Sequence, residues 1–396
     1  MVKVVDSIMG SGKTQFAIKM MNEASYLKKF IYVTPFLNEV TRVKESVTTR
    51  TFIEPDPQHG EGRKYEHFKR LIKNGKNIVT THALFSRADD ELLELLRYEN
   101  YTLIIDEVMD VIDIIKMKRN DIQILLDSNV IKINDNKQIE WISDSKFDSR
   151  YNDIKDYALA GNLFFVRDSA MIWNFPAKIF DVFDEVYILT YMFEGQIQRY
   201  YYDMHNVKYQ YYSVNNGELI PFTRKYENRE QLKQLINIYD GKLNDIGERK
   251  NNLSVSWFKR NKKSLKMIEL KNNLYNYLRN IIKADSEDIM WTTWKEYKNK
   301  IQGNGFTKKF VAWNIRATND YIDKNTLAFC INRFLNPIED GFFIDHNVEV
   351  NQEMIALTDM LQWIFRSAIR QNKPINIYIP SSRMRNLLIG YLNGDY

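Results

Sequence analysis

The sequence predicts an α/β protein of two domains, each a parallel sheet flanked by helices. Three observations carry that expectation. Short apolar runs alternate with amphipathic stretches through the first half of the chain, the pattern of strands joined by crossover helices. A glycine-bearing loop separates the first such run from the first helix, in "VKVVDSIMGSGKTQF". The length of 396 residues exceeds what a single hydrophobic core usually organises.

Taken in order, "VKVVDS" reads as a strand, residues 13–28 as a helix and "FIYVTP" as a second strand. "NIVTTH" and "YTLIIDEV" follow as further strands, the latter uniformly apolar as in a strand buried on both faces. Residues from about 113 to 170 interrupt the rhythm and are polar, and they are read as an insertion in the first domain. Within it "VIKINDNKQIEWIS" has the form of a hairpin turning at Asp135–Asn136. "EVYILTYMF" at 185–193 restores a buried strand. The Tyr-rich passage "QIQRYYYDMHNVKYQYYSV" is expected to carry the chain to a second domain, with domains at 1–204 and 205–396. There, 228–283 reads as mostly helical, and "DIMWTTW", "KKFVAWNIR" and "LAFCINRFLNP" as strands. A helix is expected from Gln352 to Gln371, ending before Lys373–Pro374 because the residue ahead of proline resists helical geometry. "INIYIP" is then a strand, and Ser381 or Ser382 caps a last helix "SRMRNLLIGYL".

Composition narrows the functional classes. With 44% apolar and 27% charged residues the chain is globular, since disorder needs fewer apolar groups and a larger charge imbalance. The formal charge of +5 permits nucleic-acid binding without requiring it. Cys330 is the single cysteine, which excludes an internal disulfide framework and a cysteine-rich zinc site and fits a reducing compartment. "MVKVVDSIMG" does not read as a signal peptide, and no apolar stretch reaches 18 residues, so a soluble cytoplasmic protein is expected. His59 and His67 flank "GEGRKYE", but the five histidines are scattered without metal-ligand spacing.

The opening loop supplies the first chemistry. A strand, a glycine-bearing turn and a helix starting at Lys13–Thr14 make an anion site, because loop N–H groups and the helix dipole converge there. Ser7, Met9, Gly10, Ser11, Gly12, Lys13 and Thr14 form the expected nucleotide cradle. Gly10 and Gly12 let backbone approach phosphate, Lys13 supplies a cation, and Thr14 a hydroxyl for Mg²⁺. The usual first glycine of such loops is Ser7 here. Asp106 and Glu107 end a buried strand, where parallel-sheet enzymes bind ligands. Asp106 is then the expected magnesium ligand and Glu107 the group that orients or deprotonates water, with Asp110 a helix-start charge. Near the C-terminus, Gln362, Arg366 and Arg370 are spaced by four and share one face of the expected helix. Two arginines one turn apart suit the charge of a phosphoryl-transfer transition state.

Glycine loop, "DEVM" and "Q-x-x-x-R-x-x-x-R", in this order, resemble motifs one, two and six of superfamily-two helicases, the group of the DEAD- and DEAH-box proteins. "IYVTPF", "NIVTTHALF" and "YILTYMFEG" are similar to that group's motifs Ia, Ib and three, the last through Thr190, Tyr191 and Met192. "DEVM" also resembles the origin-binding helicases of large DNA viruses, and the Asn/Lys/Tyr-rich composition resembles bacteriophage helicases. The likeness covers most of the first domain and the last 45 or so residues, and it departs at DEVM and at the spacing between Gln362 and Arg366. With six residues ahead of Ser7, no upstream adenine-reading motif is expected.

The resemblance implies two RecA-like domains with ATP and Mg²⁺ between them and nucleic acid across their tops. Thr34, Pro35, Arg42, Thr81 and His82 are the first-domain contacts it implies. The expected function is an ATP-dependent helicase or translocase, DNA favoured as single strand or fork, in phage replication or recombination. Its setting would be the bacterial host cytoplasm, without membrane attachment. An alternative from another class is an ATP-switched loader or remodeller of a replication partner. Hydrolysis that responds to a protein partner and not to DNA would mark that class.

Overall fold

The computed structural model describes residues 1–60, 62–144, 149–315 and 320–396. Its strands at the front of the chain are Val2–Asp6 (β1), Lys29–Thr34 (β2), Phe52–Ile53 (β3), Asn77–Thr81 (β4) and Tyr101–Asp106 (β5). Ile112–Ile115 (β6), Ile131–Ile133 (β7), Ile139–Trp141 (β8), Leu163–Val166 (β9) and Ala170–Asn174 (β10) follow. Glu185–Thr190 (β11), Tyr209–Asn215 (β12) and Glu218–Pro221 (β13) complete the first half. The result is a mixed α/β fold with parallel sheets flanked by helices.

Two compact units emerge. The first comprises Met1–Ser7, Ser11–Thr223 and Asn336–Val350, and the second Ile8–Gly10, Arg224–Leu335 and Asn351–Tyr396. In the first unit an eight-stranded sheet runs in the order β13-β12-β1-β11-β5-β2-β4-β3. Every pair in it is parallel except β12 with β13. Val4, Val5, Ile31, Val33, Ile104 and Ile188 are fully buried in its centre. Each such side chain contributes roughly 1.5–3 kcal/mol of burial free energy. The register aligns the strand ends: Asp6 lies opposite Thr190, Leu189 opposite Asp106, and Thr34 opposite Thr81. A row of polar residues therefore crosses the carboxyl edge of an otherwise apolar sheet.

The Tyr-rich passage does not leave this unit, and the expected boundary at 204/205 moves to 223/224. Ile197–Met204 forms a helix with Tyr200, Tyr201 and Tyr202 buried, and β12 then pairs with the free side of β1. The aromatic side chains are core here rather than a linker. Within the region read as an insertion, β6, β10 and β9 form a separate antiparallel sheet, and β7–β8 a hairpin closed by bonds between Asn134 and both Lys137 and Gln138. This region has its own core around Ile122, Leu125, Ile139, Ile154 and Met171. Asp110 leads into strand β6 and not into a helix.

Helix Pro337–Asp345 also belongs to the first unit. Phe342 and His346 pack on Phe164, and Phe343 on Tyr200. A Cβ on Gly341 would lie 2.1 Å from the Arg167 side chain, so glycine is the residue that lets this contact close.

In the second unit Ile236–Ile238 (β14), Ile289–Thr292 (β15), Thr326–Phe329 (β16) and Ile375–Tyr378 (β17) form a parallel sheet in the order β14-β17-β16-β15. β14 falls inside the stretch expected to be helical, because Ile236 and Ile238 complete the edge of β17. The strand expected over 308–316 reduces to one bridge between Phe310 and Trp291 among the described residues, and Arg316 lies outside them. Helix Ser382–Asn393 is capped by the Ser381 hydroxyl, which accepts from the Met384 amide.

The helix expected to run to Gln371 stops at Ile364. The Ser367 hydroxyl donates to the Ile364 carbonyl at 2.6 Å, and Ser367 itself is extended at φ −86, ψ −170. The Ala368 amide, which a continuing helix would give to Ile364, goes to the Lys324 carbonyl instead. A 3-10 turn, Ala368–Gln371, follows.

Candidate functional site

The site is built on the row of strand ends in the first unit. Gly10 and Gly12 take φ values of 84° and 89°, a left-handed backbone that a side chain would strain. Helix Lys13–Glu23 starts immediately after, with Gly12, which has no side chain to cap with, as its N-cap. The Lys13 amine donates to the Ser7 carbonyl at 2.5 Å, folded back over the loop. Ser7 is buried, and its hydroxyl accepts from the Val214 amide on β12. The serine in place of glycine therefore ties the loop's start to a neighbouring strand.

The Thr14 hydroxyl donates to Asp106 Oδ2 at 3.4 Å, and Tyr32 donates to the same oxygen at 2.8 Å. Burial, reinforced by the neighbouring Glu107, pushes the Asp106 carboxyl up to about 6. Burial and Asp106 also raise the Tyr32 phenol well above its ordinary value, so Tyr32 acts as a donor. Hydroxyl and carboxylate side by side next to a phosphate-type loop are the oxygen donors a hard divalent cation takes, so the residues fit Mg²⁺. Glu107 sits at φ 62°, a conformation that costs a non-glycine residue about 1 kcal/mol or more. Its amide donates to the Leu189 carbonyl at 2.9 Å.

The structure brings Ser7, Lys13, Thr14, Asp106 and Glu107 to one edge of one sheet. Thr34, Pro35, Thr81 and His82 follow at the ends of β2 and β4. Thr34 is fully buried, and its hydroxyl has no hydrogen-bond partner among the described residues. Arg42, half-exposed, pairs with Glu39 at 3.0 Å. The His82 ring reaches the Asp106 main-chain carbonyl at 3.0 Å. Arg366 and Arg370 do not share a helix face with Gln362, because the helix has ended two residues before Arg366. Arg366 is buried at 4% exposure, and Arg370 lies in the 3-10 turn.

Three residues of this edge escaped sequence reading. Asp6 accepts from the Met192 and Phe193 amides, fixing the turn after β11. Gln196 bonds Thr190 and the Tyr191 carbonyl within the same turn. Tyr32 holds Asp106. A carboxylate closing an apolar strand, as in "VKVVD", was the available signal for Asp6. The Tyr32 contact depends on the pairing of β2 with β5, and that of Gln196 on how the turn after β11 closes.

Asp56, His59 and His67 do come together, with ligand atoms within 4.8 Å, despite their lack of metal-ligand spacing in the sequence. His59 Nδ1 donates to the Asp56 carboxylate and the Asp56 amide donates to His67 Nδ1. Those ring nitrogens already serve the loop. Among the described residues no helix is long and apolar enough to cross a membrane.

Comparison with known proteins gives two family matches, the YonV C-terminal Rossmann-like domain over residues 230–392 and the YonV middle domain over 112–173. Among solved structures, S. tokodaii Xpd4 is 11% identical with a TM-score of 0.49, covering 98% of this chain and 94% of that one. The DUF1998 helicase MrfA bound to DNA and AMPPNP is 10% identical with a TM-score of 0.34, and the chain spans 48% of its length. These scores are too low to establish a shared fold, so the functional reading rests on the residues themselves. The SPbeta prophage-derived uncharacterized protein YonV of Bacillus subtilis (strain 168) is 43% identical over 409 aligned positions, covering all of this chain and 99% of the relative. On that identity and coverage, the chain belongs to the YonV family.

Proposed function

We propose that the chain is an ATP-driven motor on nucleic acid, a helicase or translocase built on two RecA-like domains, with DNA as its track in phage replication or recombination. One observation carries the reading. Lys13, Thr14, Asp106 and Glu107 meet at the ends of parallel strands β1 and β5 beside a loop whose two glycines are left-handed. In this reading the loop amides and Lys13 hold the phosphates, and Thr14 and Asp106 hold Mg²⁺, which when bound neutralises phosphate charge. Glu107 orients water and takes its proton. Gln362, Arg366 and Arg370 supply polar and positive groups for the transition state. Thr34, Pro35, Arg42, Thr81 and His82 contact the nucleic-acid backbone. The prophage origin of the 43%-identical relative supports the phage setting.

The experiment is ATP hydrolysis by the purified chain with single-stranded DNA, duplex DNA or RNA, beside Glu107→Gln. Stimulation by one polymer, with the substitution lowering turnover by about 10²- to 10⁴-fold, is the expected result. Turnover indifferent to every polymer would instead favour an ATP-switched loader. The separate core of the middle region, matched as a domain of its own, is the observation that favours that second reading.

A further inference from the structure

The peptide that joins Asp106 to Glu107 is held at both of its polar atoms. Its N–H donates to the Leu189 carbonyl on β11 at 2.9 Å, and its carbonyl accepts from His82 Nε2 at 3.0 Å. β11 is the neighbour of β5 on one side, whereas β4 is two strands away on the other. The imidazole therefore spans the end of β2, which lies between. A carbonyl can only accept, so the Nε2 atom carries a proton.

The clamp acts where the backbone is under strain. Glu107 is left-handed at φ 62°, and rotation of the preceding peptide would relieve it while swinging the carboxylate to a new position. His82 opens the short helix His82–Phe85 directly after Thr81, the last residue of β4. A ligand lying on the end of β4 touches the same residue that fixes Glu107.

We infer that His82 is a positioning residue: it holds the Asp106–Glu107 peptide in the form that presents the Glu107 carboxylate, and it links occupancy at the end of β4 to hydrolysis. The inference rests on the nucleotide-hydrolysing reading above.

The test uses the full chain with His82→Ala and His82→Gln, the latter keeping a side-chain N–H donor. Turnover at saturating ATP, KM and the affinity for a fluorescent ATP analogue are measured with and without single-stranded DNA. His82→Ala should lower turnover and its DNA response by about ten- to hundredfold, as a misplaced catalytic group does, with KM and nucleotide affinity within about twofold. His82→Gln should recover part of the loss. Adding His82→Ala to Glu107→Gln should cost nothing further, because the group it positions is already gone. Nitrogen-15 histidine NMR on the nucleotide-free wild type should show a His82 Nε2–H tautomer whose signal moves when single-stranded DNA is added. Wild-type turnover and DNA response in His82→Ala, or an Nδ1–H tautomer, would overturn the inference. A wild type whose hydrolysis ignores every polymer removes the motor reading instead, while the turnover of His82→Ala and the tautomer still decide the positioning role.

Discussion

Both sheets carry polar side chains at their carboxyl edge, but the two units use them differently. In the second unit, Asn332 follows β16 and donates to the Lys250 and Asn252 carbonyls while accepting from Arg383. Arg383 also donates to the Arg333 and Gln352 carbonyls and to Glu353, and lies over the Phe334 ring. Arg333 pairs with Asp359 at 2.8 Å. Those groups knit loops together. In the first unit, Asp106 shares one oxygen between a short bond to Tyr32 and a long one to Thr14, Glu107 is strained, and the buried Thr34 hydroxyl has no partner among the described residues. An unmet hydroxyl does not by itself separate the two edges, since the buried Thr292 at the end of β15 also has no partner among the described residues; the strained Glu107 and the shared Asp106 oxygen do.

The sharpest way to break this contrast is Arg383→Ala. It leaves Asn332 Oδ1 and two carbonyls without their donor, and should lower stability by about 2–4 kcal/mol in urea unfolding while nucleotide affinity holds. Lost affinity with intact stability would reverse the assignment of roles. A smaller effect concerns Asp106. Its folded-state value of about 6 exceeds the ordinary 3.8, so the proton is held more tightly in the folded chain. The stability this group contributes is present at low pH and lost as pH rises through about 6. A divalent cation competes with that proton, so Mg²⁺-dependent nucleotide affinity should fall about tenfold per pH unit below 6. Calorimetric titration across that range checks it, and Asp106→Asn should flatten the dependence. The smallest effect is Thr34→Val, which removes an unmet buried hydroxyl. Stability should stay within about 1 kcal/mol of the wild type or rise, while DNA affinity falls. Unchanged DNA affinity would return Thr34 to the core.

How much of this was legible depended on the range of the cause. Ser7 to Thr14 and Asp106–Glu107 are local patterns, and a short stretch of backbone fixes where their side chains go. The parallel α/β character followed from alternation along the chain for the same reason. The place of β12 beside β1 was not readable, because alternating tyrosines look alike whether they line a linker or a core. The helix over 352–364 was legible but its end was not. Periodicity continues through Arg366 and Arg370, and the bond from Ala368 to Lys324 that breaks it spans 44 residues, 368 minus 324. His82 was named for nucleic acid on its motif. Its hold on Asp106 depends on strand order, which the sequence does not spell out.

The return of Asn336–Val350 to the first unit has a consequence for synthesis. A ribosome extends the chain from its N-terminus, and Phe342, Phe343 and His346 emerge only after most of the second unit's sheet strands have been made. The nascent first unit waits with the surfaces of Phe164 and Tyr200 uncovered until then, so its completion is tied to the translation of its neighbour.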